Sequence, residues 1–460
     1  MRNASAPSRD LLDIADRVIG WAGDNEQVEA YVAHSKDTEV EVYQGDIETL
    51  STAETDGVGI RVVLPGDDGA RQGFAYCGTF DDESLRATLA EARDNATFAT
   101  PDPFLGLASP DGVAAAALDL WRDSLRSFPT ADKIALAMEL ERLVRAGDSR
   151  IRSLRSASYG DGLVEVALVS TAGIRSSYRR SSCSAVAFAI AGDADETQTG
   201  FGYTVGRDPS ELDISLAATM SVERATRLLG AKKPSSRTTT VVFDPYVTSS
   251  LLSILGGTLN GESVLKGRSL FADRVGEQVA VRDFTLTDDP VNPSAYGATP
   301  FDAEGLATRR INLIEGGVLQ GFVHNSVSAR RAGSGAASTG SAVRAGFKGT
   351  PGVGCRALSV VPGSMDPTAV RTFVNDGVLI QSVSGIHSGV NPVSGDFSVG
   401  AEGLVIRNGE LAEPVKEFTI ASTIQKMLMD ITAIGSDIEW LPGGSAGVTL
   451  AVSNVSLSGS

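Results

Sequence analysis

The sequence predicts an α+β fold of two domains, built mainly on antiparallel sheet. Three observations carry that prediction. Residues 28–77 alternate short strands with tight turns, and tight turns join antiparallel rather than parallel neighbours. Residues 82–230 interleave further strands with amphipathic helices. Beyond residue 238 the chain is rich in glycine and short strands, with few long helices.

Taken in order, residues 10–21 place Leu11, Leu12, Ile14, Ala15, Val18 and Ile19 on one helical face, closed by Gly20 and Gly23. Strands follow at 28–33, 40–43, 59–64 and 73–77, with turns at Gln44-Gly45-Asp46 and Pro65-Gly66-Asp67-Asp68-Gly69. Helices are expected over 82–96 and 132–146. The second sets Ile134, Ala137, Leu140, Leu143 and Val144 on one face, with Thr130 placed to cap it and Gly147 to stop it. Strands at 151–157, 163–170 and 184–191 lead to a long helix over 211–229, ended by Gly230. Residues 231–237 are polar and contain proline, so they read as a linker between an N-terminal α+β domain (1–230) and a Gly-rich, β-dominated C-terminal domain (238–460). That second domain opens with a β-branched strand at 238–243 and a helix at 245–255, with Pro245 in its first turn. An apolar strand follows at 378–383, a last helix is expected over 421–434, and residues 442–460 alternate like a strand.

Composition excludes several classes of function. The 460 residues carry 57 acidic against 40 basic side chains, a formal net charge of −17. Binding a polyanion requires a surplus of Lys and Arg, and aromatic content of 6% offers few stacking platforms, so nucleic acid is not an expected partner. Cys77, Cys183 and Cys355 are widely spaced with no C-x-x-C, which is neither a disulfide framework nor a zinc ribbon and suits a reducing cytoplasm. Met1-Arg2-Asn3-Ala4 runs into Arg9-Asp10 without a signal-peptide core, and neither uncharged stretch, 245–261 or 442–460, reads as a membrane span. The expectation is a soluble cytoplasmic protein.

Chemistry has few places to reside. His34, His324 and His387 are dispersed and no H-E-x-x-H occurs, so no metal site is expected from these residues. A Ser–His–Asp device could draw on His387, Ser388, Ser394, Asp396 and Ser398, yet no G-x-S-x-G elbow is present. Residues 346–352 have the composition of a phosphate loop without its order. Residues 385–400 set polar side chains among glycines directly after an apolar strand. Two readings stay open for them: a loop facing a ligand, or a tight connection held by the side chains of Asn391 and Asp396.

That same segment, G-x-H-S-G-x-N-x-x-[ST]-G-D-F-S running on to Gly400 and Gly403, resembles the TldD/TldE (PmbA) family. The resemblance covers nearly the whole chain. It includes Asp56-Gly57-Val58-Gly59-Ile60-Arg61-Val62, Asn260-Gly261, Lys266-Gly267-Arg268-Ser269, Asp288-Asp289-Pro290, Phe301-Asp302-x-Glu304-Gly305 and Gly435-x-Asp437. TldD-like chains carry H-E-x-x-x-H on a helix and a late cysteine ligand, and are metallopeptidases. TldE-like chains lack these residues and pair with a TldD. Counting back from Lys266 without gaps, Leu252, Ser253 and Gly257 stand where the first histidine, the glutamate and the second histidine would be, and no cysteine follows Cys355.

The resemblance therefore implies a TldE/PmbA-like subunit with no metal, cofactor or catalytic residue of its own, and zinc in a TldD-like catalytic partner. It implies a heterodimer whose N-terminal domains enclose a chamber for unfolded or precursor peptides, serving proteolysis or peptide maturation. His387, Ser388, Asn391, Asp396 and Ser398 would then shape the chamber or the interface. Two alternatives remain: a self-sufficient diverged hydrolase or peptide-modifying enzyme using His387 and its neighbours, and a scaffold or modulator binding another target. Without its partner the chain could form a homodimer.

Overall fold

The structure is a computed structural model that describes residues 10–193, 196–333 and 335–459. The N-terminal reading at Met1–Ala4 lies outside the described residues.

Helix α1 (Leu11–Ile19) is capped by the Asp10 carboxylate, which accepts the Leu12 N–H, and buries Leu11, Ile14, Ala15 and Val18. Strands β1 (Gln27–Tyr43) and β2 (Asp46–Leu64) form a long hairpin. Gln44 and Gly45 both have positive φ, 55° and 80°, as a two-residue turn matched to strand twist requires. The Glu141 carboxylate accepts both of their N–H groups, at 2.8 and 2.9 Å, and pins the turn. Then come β3 (Arg71–Cys77), α2 (Asp82–Phe98), α3 (Asp123–Arg126), α4 (Thr130–Gly147), β4 (Ile151–Ser170), β5 (Arg175–Gly192), β6 (Thr197–Gly206) and α5 (Ile214–Thr226). The six strands make one sheet, ordered β3-β2-β1-β4-β5-β6, with every neighbouring pair antiparallel. Helices α1 and α2 close one apolar core, and α4 and α5 a second.

Several expectations need correction here. The strands read at 28–33 and 40–43 are one 17-residue strand, and those at 151–157 and 163–170 are one of 20 residues. The polar stretches between them belong to a part of the sheet whose one face is uncovered, so the apolar alternation lapses while the ladder continues. Strand β6 escaped the reading because its glycines replace strand-forming residues. A Cβ on Gly202 would lie 1.9 Å from the Ala217 carbonyl oxygen, so α5 packs on bare backbone. Helix α5 begins later than residue 211 because Pro209–Glu211 forms a 3₁₀ turn and Asp213 caps the helix through the Leu216 N–H. Thr130 does not cap α4; it is the first helical residue, behind Pro129.

From Ala231 the chain crosses to the second part, with the Lys232 N–H donating to the Pro414 carbonyl. Strand β7 (Arg237–Phe243) leads to α6 (Pro245–Thr258), capped by the Asp244 carboxylate, and α7 (Gly261–Leu265). Short elements follow: β8 (Leu286–Asp288), β9 (Ile311–Glu315), β10 (Val318–Leu319), α8 (Ser326–Ala332), β11 (Ala342–Val343), β12 (Gly352–Val353), β13 (Leu358–Val360) and α9 (Pro367–Val374). The chain ends with β14 (Gly377–Ser384), α10 (Ile386–Gly389), β15 (Asp396–Arg407), β16 (Glu410–Thr423), α11 (Ile424–Met429), β17 (Ile431–Ile434), β18 (Glu439–Trp440), β19 (Ser445–Gly447) and β20 (Leu450–Ser458). Strands β16-β15-β14-β7-β20 form a sheet that closes on itself through β16–β20 pairing, and β17 extends it beyond β20. Among the described strands, β7–β14 and β13–β19 are the parallel pairs.

The helix expected over 421–434 is a correction too. Only α11 is helical, because Ala421, Ser422 and Thr423 continue the ladder with β15, and β17 pairs with β20. Ile424, Met427, Leu428 and Ile431 carry a helical spacing, but the outer ends of the segment are claimed by strand partners. No helix among the described residues is long and apolar enough to cross a membrane.

Candidate functional site

The loop between β14 and β15 begins at Gly385, whose φ of 75° suits glycine, and continues through the single turn α10. Asn391 is committed to its own turn: its Oδ1 accepts the N–H groups of Val393 (2.9 Å) and Ser394 (3.2 Å). The Ser394 hydroxyl donates to Asp396 Oδ2 at 2.6 Å, and the Ser388 hydroxyl to the Gly385 carbonyl at 3.2 Å. A Cβ on Gly389 would sit 2.0 Å from the Ser398 carbonyl oxygen, which holds α10 against β15. His387, Ser388, Asn391, Asp396 and Ser398 are all exposed. The loop thus brings Ser394 to Asp396 but, among the described residues, no hydroxyl or carboxylate to the His387 ring.

The six residues 252–257 lie on α6. Leu252 and Leu255 point into the main core with Phe284 and Leu450, beside an apolar cleft of about 40 Å³. The Ser253 hydroxyl donates to the Ser249 carbonyl one turn back. At Gly256 a Cβ would come within 3.1 Å of Leu358, and Gly257 carries no side chain. Alkyl groups, a satisfied hydroxyl and bare backbone do not fit a zinc ion. The remaining donors stand apart. His34 Nδ1 meets Asp56 Oδ1 at 2.8 Å, His324 Nδ1 meets the Ser328 hydroxyl at 3.1 Å, and His387 is on the surface loop. Burial lowers the His324 pKa, and it pushes the Cys183 thiol up to about 12 and Cys355 well above its usual value. Among the described residues no three His, Cys, Asp or Glu side chains gather as a metal site would require.

What the sequence reading missed is a buried ionic cluster joining the N-terminal sheet to the second part of the chain. Arg61 Nη2 lies 2.5 Å from Glu29 Oε2 and 3.8 Å from Glu304 Oε1, and Arg344 Nη2 lies 2.7 Å from Glu29 Oε1. The Arg344 guanidinium rests over the Tyr31 ring at 4.5 Å. Asp302 accepts the N–H groups of Glu304, Leu306 and Ala342, and burial beside Glu304 raises its pKa to about 7. Phe347 drives its ring onto β2, where a Cβ on Gly57 would lie 2.2 Å from it and one on Gly59 2.3 Å from its carbonyl oxygen. An arginine inside the apolar run 59–64 was the visible signal, since a buried arginine demands partners from elsewhere.

The other built feature is a trough of about 480 Å³ on the uncovered face of the N-terminal sheet. Gly160, Gly162, Ser51 and Ser182 floor it, the Asp37 and Glu39 carboxylates stand in it, and Tyr296 borders it. The opposite face of these strands is filled by Val40, Tyr159 and Cys183 packing with α4 and α5.

Comparison with known proteins agrees with this architecture throughout. Residues 28–96, 123–229 and 236–459 match, in turn, the models of PmbA/TldA metallopeptidase domain 1, its central domain and its C-terminal domain. A metalloprotease PmbA homolog of Haemophilus influenzae is 28% identical over 396 residues, 86% of this chain and 84% of that protein. Metalloprotease PmbA of Escherichia coli O157:H7 is 26% identical over 419 residues, 91% of this chain and 89% of that protein. Among solved structures, TldE from Thermococcus kodakarensis superposes with a TM-score of 0.87 at 22% identity, over 98% of this chain and 99% of that one. A Thermotoga maritima chain described as a candidate modulator of a DNA gyrase also gives 0.87, at 24% identity over 97% and 99%. At such identities the structural likeness speaks for the fold.

Proposed function

This chain belongs to the PmbA/TldA metallopeptidase family, and from that premise we propose that it is the non-catalytic, TldE-like subunit of a two-chain peptidase. The observation that carries the reading is α6. Where the resemblance puts two histidines and a glutamate, this chain has Leu252 in the core, Gly257 without a side chain, and Ser253 bonded back to Ser249. Zinc and the hydrolytic step then belong to a TldD-like partner, and this chain helps to bind and present unfolded or precursor peptides to it. The loop 385–400 serves as chamber wall or subunit contact. Its exposure suits that role. The three free cysteines suit a cytoplasmic setting.

The test is expression alone and with a TldD-like chain. Peptidase activity that needs both chains and is lost to a chelator is the expected result. Chelator-sensitive turnover by this chain alone would overturn the proposal.

A further inference from the structure

We propose that the outer edge of β2 docks an extended peptide bearing lysine or arginine, which sharpens the presenting role above and rests on it. Strand β3 pairs with β2 only from Val58 onward, so the preceding stretch has no strand on its outer side among the described residues. From Asp46 to Glu54 every residue is exposed except half-buried Thr49. A free edge of this length, roughly 30 Å at about 3.3 Å per residue, presents a row of unpaired N–H and C=O groups. Such an edge accepts an added strand without reading its sequence, which is what a presenter of varied peptides needs.

Charge selects the occupant. Thr49, Ser51 and Ala53 stand opposite Glu41, Glu39 and Asp37 of β1 and share their face. Behind Asp37 and Glu39 lie only Gly162 and Gly160 of β4. Small side chains on β2 therefore leave these carboxylates open to approach from the edge. A strand added to β2 would run about 9–10 Å from β1, two strand spacings, within the joint reach of a lysine or arginine and a carboxylate. Asp37, Glu39 and Glu41 have no cation partner among the described residues. Lys36 stands opposite Glu54 on the other face, His34 is paired with Asp56, and Arg180 is on β5, three strands from the edge. A second copy of this edge is a poor occupant: antiparallel self-pairing would bring the like charges of Asp46, Glu48 and Glu54 together, which destabilises a cross-strand pair.

The experiment measures fluorescence anisotropy of labelled 12-residue peptides against the purified chain alone. One probe alternates Thr with Lys and the other Thr with Glu. The lysine probe is expected to bind about tenfold more tightly, and to lose about tenfold on N-methylation of alternate residues. Asp37→Asn/Glu39→Gln/Glu41→Gln should bring the two probes within about twofold of each other. Equal binding of both probes to the unaltered chain, or indifference to N-methylation, would overturn the proposal. So would self-association relieved by the same three substitutions, which would assign the edge to a second copy. The assay uses neither partner nor metal, so its failure is separate from failure of the two-chain peptidase reading.

Discussion

Removing the Arg344 guanidinium tests the ionic cluster most directly. In Arg344→Met the stem is largely kept, while Glu29 loses the contact at 2.7 Å and the Ala303 carbonyl loses its donor at 2.8 Å. Glu29 and Arg61 are each 2% exposed and Glu304 is fully buried, so after the change two buried carboxylates share one guanidinium. Breaking a buried pair from one side costs about 3–5 kcal/mol, a large share of a typical folding free energy of roughly 5–15 kcal/mol. The deficit should depend on pH. Burial raises the Glu29 pKa, but the charges of Arg61 and Arg344 outweigh it and hold the group below its ordinary value. A depressed carboxylate contributes stability above its unfolded pKa and loses it as pH falls. Without Arg344 the Glu29 pKa climbs, the group takes up a proton in the folded state, and the penalty relaxes under acid. Denaturant unfolding at pH 8 and pH 5 should therefore show a larger deficit at pH 8. Glu29→Gln combined with Arg344→Met should cost less than the sum of the single changes. A deficit below about 1 kcal/mol, or one identical at both pH values, would refute the reasoning.

Asp302 provides the opposite pH signature: its folded pKa is raised to about 7 from 3.8, so its contribution is fully present below about 4 and is lost as pH rises through 7. Asp302→Asn should flatten that fall in a stability–pH profile. Gly57→Ala should destabilise by about 1–3 kcal/mol through collision with the Phe347 ring, and Phe347→Ala in the same chain should recover part of the loss in a thermal melt. His387→Ala, tested in the assembled pair, should act through KM or through subunit affinity. A fall confined to kcat would instead place the imidazole in the chemistry.

Much of the fold was readable because apolar period and turn chemistry agree. The apolar face of α1, the Gln44-Gly45 turn and the strand–helix step at Phe243–Pro245 all follow from local residue chemistry. What was not readable depends on what lies on the other side of a strand. Residues 34–39 lose their alternation because no element among the described residues covers the trough, and β6 loses its bulky residues because α5 comes too close. For the candidate site, the polar side chains of 385–400 were visible in the sequence. That the side chains of Asn391 and Asp396 would be committed to local hydrogen bonds was visible only as one of two readings.

The motifs that carry the family resemblance make a physical point when placed in space. Gly57 and Gly59 receive Phe347, Arg61 holds Glu29 near Glu304, and Gly305, at φ 78°, runs so close to Ile174 that a Cβ on it would lie 2.4 Å from that side chain. Asp302 and Glu304 organise the turn and the start of α8 through backbone N–H groups. None of these residues needs zinc. They fix the N-terminal sheet, with its trough and free edge, against the second part of the chain by interlocking backbone and buried charge, which tolerates little change in size or sign. A chain can therefore carry Leu252 and Gly257 on α6, with Leu252 packed in the core, and keep the rest of the family pattern intact. The pattern records a requirement to hold the N-terminal sheet in a fixed attitude against the second part of the chain.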